Sequence, residues 1–379
     1  LQAERAGERR LKQRLLDFVK REPVLLVSAL LALVSACFAP PSAAYLQYID
    51  FRTLGILFCL MAAVAGLSGA GVFVVAARRL SARARHVKSL SLFLTLLCFL
   101  SAMLITNDVA LITFVPLTLL LLEGLEQRHR IFVVVMETVA ANLGSMLTPV
   151  GNPQNLYLYA RYGIGAGEFF AVTAPVWAAG LLLTVLAVGL SRLPRTPVPY
   201  LPASGPISRR TALFYGAVFL LSLLAVFRLL PWWLVLGATV AAVAVADRRL
   251  FRSIDYSLFA TFVFFFILVG NLGSLPVVRD ILSRLLAGRE LPVSILASQA
   301  VSNVPAALLL SGFTENWKPL LVGVNIGGLG TLVASMASLI SLRLYARAPG
   351  ARGGRYFLVF TAVNAVFLLV LGGGALLLL

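Results

Sequence analysis

Asn142-Leu143-Gly144-Ser145-Met146-Leu147-Thr148-Pro149-Val150-Gly151-Asn152-Pro153-Gln154-Asn155 decides how this chain is read. The flanking runs, Ile131 to Met136 and Leu156 to Tyr159, are apolar enough for hydrocarbon, yet the stretch itself carries three Asn, two Pro and two Gly. Pro149 and Pro153 remove backbone donors and clash with the preceding turn, while Gly144 and Gly151 relax the backbone, so a regular helix cannot pass through intact. Within a bilayer, freed backbone groups are tolerated only where protein or a polar cavity satisfies them. The stretch therefore predicts a broken transmembrane helix that lines a binding site.

Composition sets the class. The chain has 379 residues, 60% of them hydrophobic and 12% charged, with a mean hydropathy of +0.94. That profile excludes an ordinary soluble domain and predicts an all-α polytopic membrane protein, with length for nine or ten spans of about 20 residues each. Cys37, Cys59 and Cys98 lie far apart in apolar runs and are expected to be buried, inert thiols. A charged lead followed by an apolar run ending in Val34-Ser35-Ala36-Cys37 has the outline of a cleaved signal, but the lead is long and a retained first span is expected. In that lead, Leu11, Leu15, Phe18 and Val19 share a helical face among basic residues, which suits either a membrane-surface helix or a solvated basic tail.

The organisation expected is a basic lead over 1–22, a first repeat over 23–193, a Pro-rich linker over 194–211 and a second repeat over 212–379. Each repeat has a re-entrant hairpin (90–122 and 293–313) and a broken helix (131–160 and 320–346). Landmarks recur in the same order. Asp50-Phe51 is matched by Asp255-Tyr256, Thr106-Asn107 by Ser302-Asn303, Asn142-Leu143-Gly144 with Thr148 by Asn325-Ile326-Gly327 with Thr331, and Tyr159-Ala160-Arg161 by Tyr345-Ala346-Arg347. A duplicated transporter scaffold is expected.

The formal charge of +17 is explained by where it lies. If the hairpins return to their own side, 25 of the 32 Lys and Arg fall on the side of the N-terminus. By the positive-inside rule that side is cytoplasmic and the C-terminus is outside, in the cell's inner membrane. Asp50 and Asp255 then begin their spans on opposite sides, so the repeats are inverted. The basic excess calls for a lipid bilayer and no nucleic acid.

Two tips and two breaks in an inverted pair converge near the midplane, presenting helix N-terminal amides to an anion and C-terminal carbonyls to a cation. Asp108 is an ionisable group inside an apolar segment, placed to ligate Na⁺ or to bind and release H⁺; its alternative role is to cap the helix from Val109 to Leu122. Asn107 and Asn303 are uncharged donors and acceptors suited to an oxyanion and a cation, or to closing the tips. Thr148, Asn152, Asn155, Thr331, Ser335 and Ser338 supply hydroxyl and amide oxygens around the breaks. Glu137, in the same broken helix as Asn142, reads equally as proton carrier and as structural partner. His86 and His129 sit in basic loops and read as solvated.

An enzyme is disfavoured: the polar membrane segments hold no His or Cys, no metal-ligand spacing and no nucleophile with an evident base. A passive anion channel with re-entrant selectivity segments is the stronger rival to a carrier. No cofactor is expected beyond a coupling ion, H⁺ or Na⁺.

These motifs resemble the ion transporter superfamily, which includes divalent-anion/sodium symporters, citrate transporters, arsenite-efflux permeases and NhaD-type antiporters. Thr106-Asn107-Asp108-Val109-Ala110-Leu111, followed by Pro116-Leu117, is similar to the first hairpin of the arsenite and citrate branches. Asn142-Leu143-Gly144 with Thr148-Pro149-Val150-Gly151-Asn152-Pro153 is similar to the first helix break, and Ser302-Asn303-Val304-Pro305-Ala306 to the second hairpin. The resemblance implies a homodimer that carries a small anion, of the arsenite or oxyanion class or the citrate or carboxylate class, by an elevator mechanism. Carried over by motif, the substrate contacts are Asn107, Thr148, Gly151, Asn152, Pro153, Ser302, Asn303, Thr331 and Ser335. The coupling cation falls to Thr106, Asn107, Asp108, Asn142, Gly144, Asn303 and Asn325, with a Na⁺ site at Asn107 and Asp108. Both tips of the sodium-dicarboxylate branch read Ser-Asn-Thr, whereas here they read Thr-Asn-Asp and Ser-Asn-Val; Val304 has no side-chain oxygen for a second sodium.

Overall fold

A computed structural model describes residues 22–81, 84–197 and 207–378. The amphipathic lead and part of the Pro-rich linker, including Pro199, Pro202 and Pro206, lie outside the described residues. In chain order the helices are α1 (Pro23–Ala36), α2 (Ala44–Tyr48), α3 (Phe51–Gly69), α4 (Val72–Ser81), α5 (Val87–Ile105), α6 (Asn107–Leu121), α7 (Gln127–Ser145), α8 (Pro153–Arg161), α9 (Ala166–Leu190), α10 (Arg209–Val226) and α11 (Trp232–Ala246). After a 3₁₀ turn at Arg248–Ser253 come α12 (Tyr256–Gly273), α13 (Pro276–Leu286), α14 (Glu290–Val301), α15 (Asn303–Leu310), α16 (Trp317–Ile326), α17 (Met336–Ala346) and α18 (Gly353–Leu378). Among the described residues α3, α5, α9, α10, α12 and α18 are long and apolar enough to cross a membrane. The protein is an all-α polytopic membrane protein. Large side chains such as Leu190, Leu213, Val245 and Leu377 stand exposed on the outside, where a bilayer would cover them.

The chain divides into two compact units that cut across the halves marked by the linker. One joins the described part of Leu1–Asp50 to Asp255–Arg284; the other holds Phe51–Ile254 and Leu285–Leu379. Two of the unit boundaries fall at the matched landmarks Asp50-Phe51 and Asp255-Tyr256. In the smaller unit α1 packs on α12, where Asn271 Nδ2 donates to Ser35 Oγ at 3.0 Å and to the Tyr45 hydroxyl at 2.9 Å. Asp255 caps α12 by accepting from Leu258 N at 3.1 Å.

In the larger unit α5, α6, α9, α17 and α18 all pack around α7, and their shared core includes Phe99, Phe114, Val134, Leu143, Tyr345 and Phe360. Gly144 lets α7 lie against α5, because a Cβ at that position would collide with the Phe99 carbonyl. The apolar run from Thr53 to Ala77 is split between two helices, since α3 ends at Gly69 and Gly71, with φ +78°, turns the chain before α4 begins. Cys59 and Cys98 are buried as expected, but Cys37 is exposed just beyond the end of α1.

Candidate functional site

The two hairpins have the same local geometry. Helices α5 and α6 meet at Thr106 with φ 69° and ψ 153°, and α14 and α15 meet at Ser302 with φ 75° and ψ 153°. That region of backbone space is almost closed to residues with a Cβ, and holding one there costs on the order of 1–3 kcal/mol. The Asn after each tip turns its side chain back in the same way: Asn107 Oδ1 accepts from Asp108 N at 3.0 Å and Asn303 Oδ1 from Val304 N at 3.0 Å. Asp108 lies half-buried in the first turn of α6, one residue past the helix start, so it does not occupy the cap position; Thr106 does. Its negative charge there complements the positive end of the helix.

The first break lies where its proline, glycine and asparagine content places it, and the second where Gly327, Gly328 and Gly330 cluster. Helix α7 ends at Ser145 and α8 starts at Pro153 after its N-cap Asn152, whose Oδ1 accepts from Asn155 N at 3.0 Å. Helix α16 ends at Ile326 and α17 starts at Met336 after its N-cap Ser335. Each interruption frees carbonyls, and in each a neutral amide collects them. Asn155 Nδ2 donates to the carbonyls of Ser145, Met146 and Thr148 at 3.3, 3.1 and 3.1 Å. Gln299 Nε2, three residues before the second tip, donates to those of Gly327 and Leu329 at 2.8 and 3.0 Å. Gln299 was not singled out by the sequence, although it is the one long amide in the second hairpin's apolar run.

A chain of asparagines joins the two breaks. Asn142 Oδ1 accepts from Asn107 Nδ2 at 3.1 Å and from Ser335 Oγ at 3.0 Å, while its own Nδ2 donates to the Gly328 carbonyl at 3.3 Å. Ser145 Oγ donates to the Asn142 carbonyl at 2.9 Å and accepts from Asn152 Nδ2 at 3.0 Å. Asn152 Nδ2 also reaches Asn325 Oδ1 at 3.0 Å, and Asn325 Nδ2 donates to Asn155 Oδ1 at 2.7 Å. The second tip joins through Asn303 N, which donates to the Ala334 carbonyl at 2.9 Å, and through Asn303 Nδ2, which would lie 2.8 Å from a Cβ at Gly328. The asparagines are all about 95% buried or more. First residues of α6, α8, α15 and α17 thus meet in one linked centre, and each helix brings roughly half a positive charge from its N-terminal amides. Such a field favours negative charge, and the side chains linked there among the described residues include no lysine or arginine.

The residues expected in the site do not all play one part. Asn107, Asn142, Asn152, Ser302, Asn303, Asn325 and Ser335 are drawn together, and Pro153 opens α8 beside them. Gly151 and Gly144 act through size: a Cβ at Gly151 would overlap the Ser145 carbonyl. Thr148 donates to the Met103 carbonyl and ties the first break to α5. Thr331 is exposed and bound to Gln299, its N–H to Oε1 at 2.8 Å and its hydroxyl to the Gln299 carbonyl at 3.2 Å. Among the described residues no group of three or more His, Cys, Asp or Glu is gathered to hold a metal ion.

Comparisons with known proteins agree with this architecture. The profile of the citrate transporter family matches residues 15–319, which takes in both tips and the first break. An uncharacterized transporter of Methanocaldococcus jannaschii is 33% identical over 333 residues, covering 85% of this chain and 88% of its own. The inner membrane protein YbiR of Escherichia coli is 34% identical over 316 residues, covering 81% and 82%. Among solved structures, the YdaH transporter of Alcanivorax borkumensis, described as having an unusual topology, aligns over 93% of this chain and 97% of its own with a TM-score of 0.57 at 14% identity.

Proposed function

The chain belongs to the citrate transporter family, and from that premise we propose that it is a secondary active transporter of a small anion, of the oxyanion (arsenite) or carboxylate (citrate) class. The observation that carries the reading is the asparagine chain from Asn107 to Asn155, which links helix N-termini of both halves at one buried, neutral centre. The matched tips and breaks support two inverted repeats with re-entrant hairpins, moving as an elevator. The carrier works in the cytoplasmic membrane with its N-terminus inside and its C-terminus outside, as a homodimer, coupled to H⁺ or Na⁺. Asp108, at the first tip, is the acidic group nearest the centre in sequence.

Protein reconstituted in proteoliposomes should accumulate arsenite, citrate or another small anion against its gradient when a pH or sodium gradient is imposed. Steady anion current without uphill movement would replace the carrier with a channel. In the same assay Asp108→Asn is expected to lose gradient-driven accumulation while keeping the wild-type thermal transition. Unchanged ion dependence in that variant would reduce Asp108 to its electrostatic part at the end of α6.

A further inference from the structure

Five residues before Asn142 on α7 lies a carboxyl group that the asparagine centre does not use. Glu137 has no exposed surface. Its Oε1 takes a hydrogen bond from the Thr118 hydroxyl of α6, and its Oε2 is buried with no hydrogen-bond partner among the described residues. A buried ionised carboxylate with a single neutral partner is costly, and such a group inside a membrane bundle marks function more often than structure.

Every element packed against α7 bears on what this carboxyl can bind. The groups that act on it are Thr118 of α6, which donates to Oε1, and, through their charge, Cys98 of α5 and Tyr356 of α18. Beside Tyr356 lie Ser341 of α17 and Thr138 of α7 itself, the latter donating to Ser341 Oγ at 2.7 Å. Helices α9 and α16 bring no titratable side chain to it, and no lysine, arginine or histidine acts on it among the described residues. With no cation to pair and one oxygen idle, the carboxyl suits a ligand that enters without opening the core. A proton needs only Oε2, whereas a metal ion needs several converging oxygens.

We propose that Glu137 binds and releases one H⁺ in each transport cycle, in addition to any exchange at Asp108. Thr118 holds the carboxyl in place, and the Tyr356, Ser341 and Thr138 hydroxyls form the polar path beside it. The step is a simple protonation, carboxylate plus H⁺ giving the carboxylic acid. The inference rests on the carrier reading above, and its test separates the two.

Full-length wild type, Glu137→Gln and Thr118→Val are reconstituted with a trapped pH-sensitive dye, and citrate, arsenite and inorganic phosphate serve as probes. Two rates are read for each: accumulation driven by a pH gradient, and one-for-one exchange of labelled anion without any gradient. Glutamine mimics the protonated acid but cannot lose its proton. Glu137→Gln is therefore expected to lose about tenfold or more of the driven accumulation while exchange stays within about twofold of wild type. Thr118→Val, which keeps the carboxyl, is expected to slow accumulation and leave exchange intact, and it serves if the glutamine variant does not fold. Equal retention of both rates in both variants, or equal loss of both in folded protein, overturns the proposal. A wild type driven by sodium alone overturns it and leaves the carrier reading standing; a wild type that never moves anion uphill removes the carrier reading itself.

Discussion

Replacing Asn142 with alanine is expected to abolish transport and to lower stability by about 3 kcal/mol, a factor of roughly a hundred in the folding equilibrium. The side chain makes three buried hydrogen bonds to three different elements: Asn107 at the first tip, Ser335 at the cap of α17, and the Gly328 carbonyl in the second break. Interhelical hydrogen bonds in membranes contribute about 0.6 kcal/mol on average and up to about 1.7, so three together give about 2–5 kcal/mol. The larger effect is on shape, because the amide is the strut that holds tip and second break to one spacing. Asn364 is the control. It is as buried, but among the described residues it bonds only the Phe360 carbonyl of its own helix, so Asn364→Ala should cost under about 1 kcal/mol. Thermal unfolding in detergent, paired with uptake into proteoliposomes, reads both effects.

Gly144→Ala is expected to destabilise the larger unit by about 3 kcal/mol, at the upper end of overpacking costs, and to impair transport with it. The added methyl would fall on the Phe99 carbonyl, a backbone atom that no rotamer change can move aside. Helices α5 and α7 would have to part along the contact that sets the first hairpin against the first break. A glycine in open surroundings should show the opposite sign. Gly216, inside α10, has nothing among the described residues within 4 Å of its Cβ position, so Gly216→Ala should stabilise by about 0.5–1 kcal/mol through helix propensity alone. Denaturation midpoints of the two variants beside wild type decide the matter, and a neutral Gly144→Ala would mean that α5 and α7 pack less closely than described.

What was legible in the sequence was local chemistry. Pro149, Pro153 and Gly151 announce the first break because they deny the chain a continuous hydrogen-bond ladder, and the structure ends α7 and begins α8 around them. The tips at Thr106 and Ser302 were readable as polar interruptions of apolar runs. Partnerships were not. Nothing local tells Asn142 to seek Gly328, or Asn152 to seek Asn325, since those pairs are 186 and 173 residues apart and are made by packing. Thr148 is readable as a polar oxygen, but a hydroxyl beside the frayed end of a helix takes the nearest free carbonyl, here that of Met103. The halves marked by the linker are likewise a reading of order along the chain, whereas the compact units follow which helices share a core.

The central claim is that both halves build one anion site. Its most direct test is the shift in thermal transition produced by arsenite, citrate, dicarboxylates, sulfate and phosphate on wild type, Asn107→Ala and Asn303→Ala, with and without Na⁺. A ligand that binds only the native state at a hundred times its dissociation constant stabilises by about 2.7 kcal/mol, well within reach of the method. The account predicts that one anion raises the wild-type transition and that either alanine, at the first tip or the second, removes the shift. Loss in one variant with full retention in the other would contradict it, because the anion would then be held by one half alone.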